Sequence, residues 1–307
     1  MIYIALIIGC VLLYKGGDWL LDGMLGIGQK FGWPKAIVGL VLVSLGTSAP
    51  ELFVSIGATL QGHGGLAAGN VIGSNIINVA VVLGIAACLV ALPIEKVFKY
   101  QLIAVAILSL YTVWVISDGH IIRSEGLTLI ILMAVSFLLA FRHHSKNKST
   151  DENQSATTDQ SVKKLALITL AGIVALLVGA ESLIWGGLAL AKQLGLPETV
   201  VALTVTALGT SLPEIAASVV AVTRRETSLA LGNVIGSNLL NLGLVLGLSA
   251  VIKPLLQIEL TTSTQAYFAG LVLFILALSI KPGKIPKWAG YGLLLSYVVY
   301  VVLLLAT

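Results

Sequence analysis

Residues 46–84 read GTSAPELFVSIGATLQGHGGLAAGNVIGSNIINVAVVLG, and residues 209–247, at an offset of 163, read GTSLPEIAASVVAVTRRETSLALGNVIGSNLLNLGLVLG. Aligned without a gap, the two stretches are identical at 20 of 39 positions. Most identities fall on Gly, Thr, Ser, Pro, Glu and Asn, and polar residues of this kind are disfavoured in hydrocarbon. The pattern predicts a polar site that is duplicated inside a membrane.

The composition places the whole chain in the bilayer. Of its 307 residues, 57% are apolar and 10% are charged, and the mean hydropathy is +1.01. These values are typical of an integral membrane protein and leave no room for a separate soluble domain. The net charge of +4 therefore belongs to loops, not to a nucleic-acid-binding surface. The partners we expect are the lipid bilayer and transported cations, with no sign of an obligate protein partner.

Apolar runs of about 20 residues, the length that crosses a hydrocarbon core, recur along the chain. They predict an all-α membrane protein of ten transmembrane helices, at about 2–29, 35–60, 66–92, 98–117, 122–142, 163–193, 197–222, 229–252, 262–280 and 287–306. The segment 143–162 has almost no apolar residues and is predicted to be a disordered linker. It separates a first five-helix half, 1–142, from a second, 163–307.

Lysine and arginine predict the orientation of these helices. The connections after predicted helices 1, 3, 5, 7 and 9 carry Lys30, Lys35, Lys96, Lys99, Arg142, Lys146, Lys148, Lys163, Lys164, Arg224, Arg225, Lys281, Lys284 and Lys287. The opposite side carries only Arg123, Lys192 and Lys253. Both termini are thus expected outside and the linker in the cytoplasm. Because each half has an odd number of helices, equivalent helices must run in opposite directions, which makes an inverted repeat.

The deepest charged residues are Glu51 and Glu214, each about fifteen residues into its predicted helix. That distance is roughly 23 Å of helix, near the middle of the bilayer. Predicted helix 3 begins on the opposite face and brings Asn78 to a similar depth. Pro50 and Pro213 cannot donate a backbone hydrogen bond, so carbonyls one turn earlier are freed and need polar partners.

The polar side chains near these glutamates are all oxygen donors. They are the carboxylates of Glu51 and Glu214, the hydroxyls of Thr47, Ser48, Ser74, Thr210, Ser211 and Ser237, and the amides of Asn78 and Asn241. Hard cations take such ligands, and Ca²⁺ typically takes six to eight oxygens. Two carboxylates neutralise one divalent ion or hold monovalent ions at separate positions. Ions that compete for this site, with access alternating between sides, would be exchanged.

Small residues accompany the site. Gly69 and Gly73, and their counterparts Gly232 and Gly236, form GxxxG pairs. Such pairs let two membrane helices approach closely. They predict tight packing of the core helices around the site.

The pair GTSxPE and GNVIGSNxxN, present once per half, resembles the alpha-repeats of the calcium/cation antiporter superfamily, and in particular its prokaryotic sodium/calcium exchanger branch. The resemblance implies cation sites between helices 2, 3, 7 and 8, with helices 1 and 6 sliding across them. It also implies a ligand set, to which backbone carbonyls at Ser44 and Ala207 are added. That set is Thr47, Ser48, Glu51, Ser74, Asn78, Thr210, Ser211, Glu214, Ser237 and Asn241.

The chain differs from some branches of that superfamily at Asn241 and at the pair Ser74 and Ser237. Archaeal and potassium-dependent members carry Asp where this chain has Asn241, which argues against potassium dependence and leaves the sodium stoichiometry open. The proton-coupled branch has Glu at the positions of Ser74 and Ser237, which favours sodium as the co-ion.

Other polar residues in the spans have alternative roles. Asn70, Asn75, Asn233 and Asn238 are polar residues whose presence is explained equally well by hydrogen bonds to freed backbone carbonyls and by direct binding of an ion. We therefore place them in a second shell around the ligands. Asp18 and Glu181 are related by the same offset of 163 and are candidates for gating, although Lys15 offers Asp18 an ordinary partner.

The sequence therefore predicts a secondary antiporter of the cell membrane that exchanges Ca²⁺ for Na⁺ without a cofactor. A Ca²⁺/H⁺ antiporter is the alternative, and a cation channel is a more distant one. An enzyme is not expected, since the chain contains no HExxH, GxSxG or P-loop motif.

Overall fold

The computed structural model describes residues 2–146, 159–194, 207–280 and 283–306. In the first half the helices are α1 (Ile2–Lys30), α2 (Lys35–Ile37), α3 (Ser44–Thr47), α4 (Ala49–Leu60), α5 (Gly64–Ile77), α6 (Leu83–Leu89), α7 (Lys96–Val115) and α8 (Arg123–Lys146). In the second half they are α9 (Val162–Gln193), α10 (Ala207–Gly209), α11 (Leu212–Thr223), α12 (Thr227–Leu240), α13 (Gly247–Ile252), α14 (Thr262–Ile280) and α15 (Lys287–Ala306).

Three π-helical segments make some of these helices continuous. They are Val38–Val43 between α2 and α3, Asn78–Val82 between α5 and α6, and Asn241–Leu246 between α12 and α13. A short 3₁₀ turn, Ile116–Asp118, extends α7. In the described part of the chain, seven helices are long and apolar enough to cross a membrane, and the segment 35–60 makes an eighth if its two bent parts form one span.

The predicted helices agree with these elements in position but not always in form. The predicted single helix 35–60 is wrong in one respect, because it bends by 47° between Thr47 and Ala49. Of the predicted helix 197–222, only the part from Ala207 is described, and it is interrupted between Gly209 and Leu212. Most of the predicted linker lies outside the described residues, although α8 extends into it as far as Lys146.

The two longest helices, α1 and α9, pack against each other along most of their length. A Cβ added at Gly9 would lie 3.0 Å from the carbonyl oxygen of Gly179, and one at Gly16 would lie 3.0 Å from that of Gly172. As the residue number rises along α1, it falls along α9, so the two helices are antiparallel. Only glycine permits this backbone-to-backbone contact, which dispersion between closely packed atoms stabilises.

Contacts between loops join the two halves at two places. Leu92–Pro93 (β1), after α6, pairs antiparallel with Lys284–Ile285 (β2), between α14 and α15. An isolated bridge joins Ile121, between α7 and α8, to Leu255, after α13. These small ladders were not predicted, since two-residue strands leave no periodic pattern in a sequence.

The outer surface is apolar and the interior is partly polar. Large apolar side chains such as Ile7, Phe53, Trp114 and Leu167 are exposed, as expected of residues that face lipid. In contrast, α5 with α6, and α12 with α13, are the most enclosed spans, each 78% buried. The polar residues of the repeated stretch lie on these enclosed helices and on the bent ones beside them.

Candidate functional site

Each glutamate of the repeat lies in the first turn of a helix that begins at a break. Glu51 lies near the start of α4 and Glu214 near the start of α11, and both side chains are completely buried. The break comes at Ser48 and Ser211, whose ψ angles of 8° and 4° are not helical. Pro50 and Pro213 follow immediately, where a proline is tolerated because the first helical N–H groups have no partner within the helix.

Side chains from one half bind side chains from the other. The Ser48 hydroxyl donates to Glu214 Oε1 at 3.0 Å. Thr47 Oγ1 lies 3.5 Å from Ser237 Oγ, and in the reciprocal position Ser74 Oγ lies 3.4 Å from Thr210 Oγ1. These three contacts bring predicted ligands of both halves together, and we refer to this region as the cluster.

Several predicted ligands carry buried oxygens that have no hydrogen-bond partner among the described residues. They are Glu51 Oε1 and Oε2, Glu214 Oε2, Asn78 Oδ1, Asn241 Oδ1 and Ser211 Oγ. Leaving such atoms unpaired is costly. Elsewhere, unpaired buried polar atoms occur on residues such as Gln101, Ser109 and Ser249. Six unpaired oxygens on predicted ligands suit a cation, which satisfies several oxygens at once.

The donor set is one of oxygen only. In the described part of the chain, no group of three or more His, Cys, Asp or Glu side chains is placed to hold a metal ion. A cation here would therefore take its further ligands from hydroxyl, amide and backbone oxygens. Such a site favours hard ions over zinc or copper.

Asn78 and Asn241 are the first residues of two π-helical segments, Asn78–Val82 and Asn241–Leu246. Both side chains are completely buried. A π turn contains an extra residue relative to an α turn and is frequent at functional sites. The sequence predicted that these asparagines reach the depth of the glutamates, but it did not predict the change of helix type.

The backbone carbonyls of Ser44 and Ala207 have different surroundings. The Ser44 oxygen accepts from the Ser48 N–H at 2.9 Å and from Thr47 Oγ1 at 3.3 Å. In the second half, the Ser211 N–H bonds instead to the Leu208 oxygen at 3.1 Å. The two breaks are therefore not identical, although they occur at equivalent positions.

The four asparagines predicted to lie in a second shell divide into two pairs. Asn75 and Asn238 each donate to the carbonyl one turn earlier, of Val71 and Val234 respectively. Asn238 also lines a cavity of about 20 Å³ whose other walls are apolar, about the size for one water. Asn70 and Asn233 instead bind side chains of the neighbouring helix.

The glycine pairs pack differently in the two halves. At Gly232 and Gly236 an added Cβ would clash with backbone of the segment from Ala36 to Leu40, which confirms the predicted close approach. Nothing described lies within 4 Å of a Cβ at Gly69 or Gly73, so for this pair the prediction has no support. The second-half counterpart of that packing segment would be 199–203, which is outside the described residues.

The two candidate gating residues lie outside this cluster. Asp18 pairs with Arg224, which also binds Asp22 at 2.7 Å. The prediction that Lys15 is the partner of Asp18 is therefore wrong. Arg224, just past the end of α11, lies beside the part of α1 that carries Asp18 and Asp22. Glu181 is exposed on α9.

Two buried serines of the cluster were missed by the sequence analysis. Ser55 and Ser218 lie one turn after the two glutamates, are completely buried and bind Asn70 and Asn233. A signal was present, since both serines are identical between the repeats and share a helical face with the glutamates.

The long apolar helices and the enclosed oxygen cluster define a multi-pass membrane protein that transports cations. Residues 1–142 and 164–306 match the model of a protein family that is described as "sodium/calcium exchanger protein". The sodium/calcium exchanger MaX1 of Methanosarcina acetivorans is 31% identical, over 98% of each chain. The inner membrane protein YrbG of Escherichia coli is 32% identical, over 95% of this chain and 92% of that protein.

A solved structure has the same fold. The sodium-calcium exchanger NCX_Mj, in a structure soaked with zero Na⁺ and Ca²⁺, matches with a TM-score of 0.84 and 27% identity over 98% of each chain. The chain belongs to the sodium/calcium exchanger family. It is a cation antiporter of this type rather than an enzyme, which confirms the family and the class predicted from the repeated motifs.

Proposed function

We propose that this protein exchanges Ca²⁺ for Na⁺ across the cell membrane by alternating access to the buried cluster. The observation that carries the proposal is the pair of fully buried carboxylates, Glu51 and Glu214, surrounded by oxygens from both halves. Their two negative charges balance one Ca²⁺ or two Na⁺. Because a charge inside the membrane is costly unless it is compensated, ions of the two kinds would replace each other rather than leave the site empty.

The proposed ligands are the ten residues named from the motif. Oxygens of Thr47, Ser48, Glu51, Ser74, Asn78, Thr210, Ser211, Glu214, Ser237 and Asn241 form the set, with carbonyls of Ser44 and Ala207. Contacts across the two halves at Ser48 and Glu214, and at Ser74 and Thr210, support a single shared site. Asn70, Asn75, Asn233 and Asn238 would support these ligands, and Asp18 and Glu181 would act in gating.

Na⁺ is the proposed co-ion, and H⁺ is the alternative. A proton-coupled exchanger needs a group that binds and releases a proton as Ca²⁺ leaves, and the resemblance places a glutamate for this where the chain has Ser74 and Ser237. A serine hydroxyl does not titrate near neutral pH. The name of MaX1 as a sodium/calcium exchanger also supports Na⁺.

The proposed architecture is ten transmembrane helices in two inverted five-helix repeats, 1–142 and 163–307. The antiparallel packing of α1 and α9 supports inversion, because these helices are equivalent under the offset of 163. The glycine pairs Gly9 with Gly179 and Gly16 with Gly172 exchange with each other under that offset, as a pseudo-twofold axis requires. Both termini would lie outside and the linker in the cytoplasm.

Uptake of ⁴⁵Ca²⁺ into proteoliposomes, with gradients of Na⁺, K⁺ and H⁺ imposed one at a time, tests the function. We expect an outward Na⁺ gradient to drive uptake, and K⁺ or H⁺ gradients of the same size to leave it at background. Uptake driven by H⁺ alone would establish the alternative. Single-channel currents under voltage would instead indicate a channel, because alternating access never opens a continuous path.

A further inference from the structure

The serines one turn after the two glutamates form hydrogen bonds that simple packing does not require. Ser55 and Ser218 are completely buried, and each accepts a hydrogen bond from an asparagine of the adjacent helix. Asn70 Nδ2 donates to Ser55 Oγ at 2.9 Å, and Asn233 Nδ2 donates to Ser218 Oγ at 3.0 Å. The two pairs are equivalent under the offset of 163, so the same hydrogen bond occurs once in each half.

In both halves the serine binds the nitrogen end of the amide. Asn233 uses its nitrogen on Ser218, so its oxygen is left for Thr47, whose hydroxyl donates to it at 3.2 Å. In the first half, the Ser55 hydroxyl donates to the Ala67 carbonyl at 3.5 Å. Because a hydroxyl has one proton, Ser55 can only accept from Asn70, and the orientation of that amide is fixed as well.

The orientation of the amide in turn sets the polarity of the threonine hydroxyl. Of the groups around Thr47 Oγ1, Asn233 Oδ1 and the Ser44 carbonyl can only accept, and the Ser237 hydroxyl at 3.5 Å can donate or accept. The threonine proton is therefore used on the protein, and an oxygen lone pair remains for a cation. If the amide were reversed, its N–H₂ group would donate to Thr47, and the threonine proton would turn toward the ion.

We infer that Ser218 is a positioning residue of the cation site, acting through Asn233 to keep the Thr47 hydroxyl in the form that binds cations, and that Ser55, its counterpart, orients Asn70 in the other half. The inference rests on the proposed function of the cluster as a cation site, but not on the identity of the co-ion. It assigns the two serines a part in ion affinity without direct contact with the ion.

Alanine at each serine tests the inference. In Ser218→Ala, and separately in Ser55→Ala, we expect the Ca²⁺ affinity of the purified protein, measured by equilibrium binding of ⁴⁵Ca²⁺, to weaken about tenfold, the loss typical of one hydrogen bond near an ion. Ala favours a helix more than Ser does, so a serine that only packs would leave affinity unchanged and thermal stability equal or higher. That result in both variants would overturn the inference.

Ser249→Ala is the matched control. Ser249 is also a completely buried helical serine, and its hydroxyl has no partner among the described residues. We expect its Ca²⁺ affinity to equal that of the wild type. A weakening as large as that of Ser218→Ala would show that any buried serine has this effect, and would overturn the assignment.

A double-mutant cycle tests whether Ser218 acts through Asn233. In an Asn233→Ala background, Ser218→Ala should cause no further loss of Ca²⁺ affinity, because the amide that it orients is gone. Independent, additive losses would overturn the positioning role. Since binding is measured without a gradient, a wild type that binds Ca²⁺ but shows no Na⁺-driven uptake would contradict the proposed exchange and leave this inference standing.

Discussion

Glu51 and Glu214 show how a carboxylate can be placed inside a membrane protein. Each lies in the first turn of a helix, where unpaired N–H groups and the helix dipole favour negative charge. Each also has hydroxyls of the opposite half nearby, as Ser48 is to Glu214. These features reduce the penalty of burying the charge but do not remove it. A transported cation would supply the rest, which links the stability of the site to its function.

The first prediction concerns these two charges. Glu51→Gln or Glu214→Gln should reduce Na⁺-driven ⁴⁵Ca²⁺ uptake at least about a hundredfold, roughly 2.7 kcal/mol, since one remaining charge cannot balance a divalent ion. The variants should still fold, because glutamine has nearly the same size. Glu125→Gln, which changes a carboxylate that caps α8 at the surface, is the matched control and should transport normally. Uptake at the wild-type rate in both site variants would exclude the carboxylates as ligands.

The second prediction concerns cation preference at Asn241. Since Asn241 is a proposed ligand of the same cation as Glu51 and Glu214, Asn241→Asp would add a third negative charge to the ligand set, and binding of Ca²⁺ should strengthen relative to Na⁺ by about tenfold, roughly 1.4 kcal/mol. The measurement is the Na⁺ concentration that half-inhibits ⁴⁵Ca²⁺ binding. Asn78→Asp is the counterpart in the other half. An unchanged Na⁺ competition curve in both Asn241→Asp and Asn78→Asp would show that these amides do not face the cation.

At the scale of elements, the sequence indicated where helices break more reliably than how they break. The prolines and glycines of GTSxPE predicted freed carbonyls, and the structure bends one residue before the dipeptide Ala49–Pro50. The π-helical segments at Asn78 and Asn241 could not be predicted, because their wider turn depends on neighbouring helices rather than on a local composition. The same limit applies to the hydrogen-bond partners of Ser55 and Ser218, which lie on another helix, although the identity of the two serines between the repeats was a signal.

The third prediction tests close helix packing at Gly236. A Cβ there would meet the Leu40 carbonyl, and the Ser44 hydroxyl would lie 2.5 Å away. Because backbone cannot yield easily, Gly236→Ala should destabilise the protein by about 1–3 kcal/mol. Gly57→Ala is the control, since nothing described lies within 4 Å of its Cβ, and it should be neutral or stabilising by up to about 1 kcal/mol. Thermal unfolding in detergent measures both, and equal unfolding temperatures for the two variants would contradict the packing argument.

At the scale of the whole molecule, the repeat at an offset of 163 predicted that two distant stretches form one site. Identical polar residues that are buried in one membrane protein are expected to bind the same partners. The repeat did not lead to a prediction of the close contact between α1 and α9, although the sequence contained a signal for it. Gly9, Gly16 and Gly23 recur every seven residues, as do Gly172, Gly179 and Gly186. A seven-residue repeat places small residues on one face of each helix, and these faces are in contact where α1 and α9 pack antiparallel.

Contacts between loops also bear on orientation, since loops that touch must lie on the same side of the membrane. Lys35, after α1, binds Glu226, after α11, at 2.7 Å, and β1 after α6 pairs with β2 after α14. In the ten-helix scheme these loops follow helices 1, 7, 3 and 9, all odd. The bridge between Ile121 and Leu255 joins the loops after helices 4 and 8, both even. The contacts thus agree with alternation of sides along the chain.

The fourth prediction assigns the sides. In a background with Cys10 and Cys88 replaced by Ala, Ser117→Cys, between α7 and α8, should react with a membrane-impermeant maleimide in intact cells. Ser161→Cys, just before α9, should react only after permeabilisation, because the positive-inside rule predicts that the basic loops lie in the cytoplasm. Both serines are exposed, so access rather than burial decides the result, and labelling after permeabilisation is the control for each. The reverse pattern would invert the orientation, and labelling of both in intact cells would contradict the alternation itself.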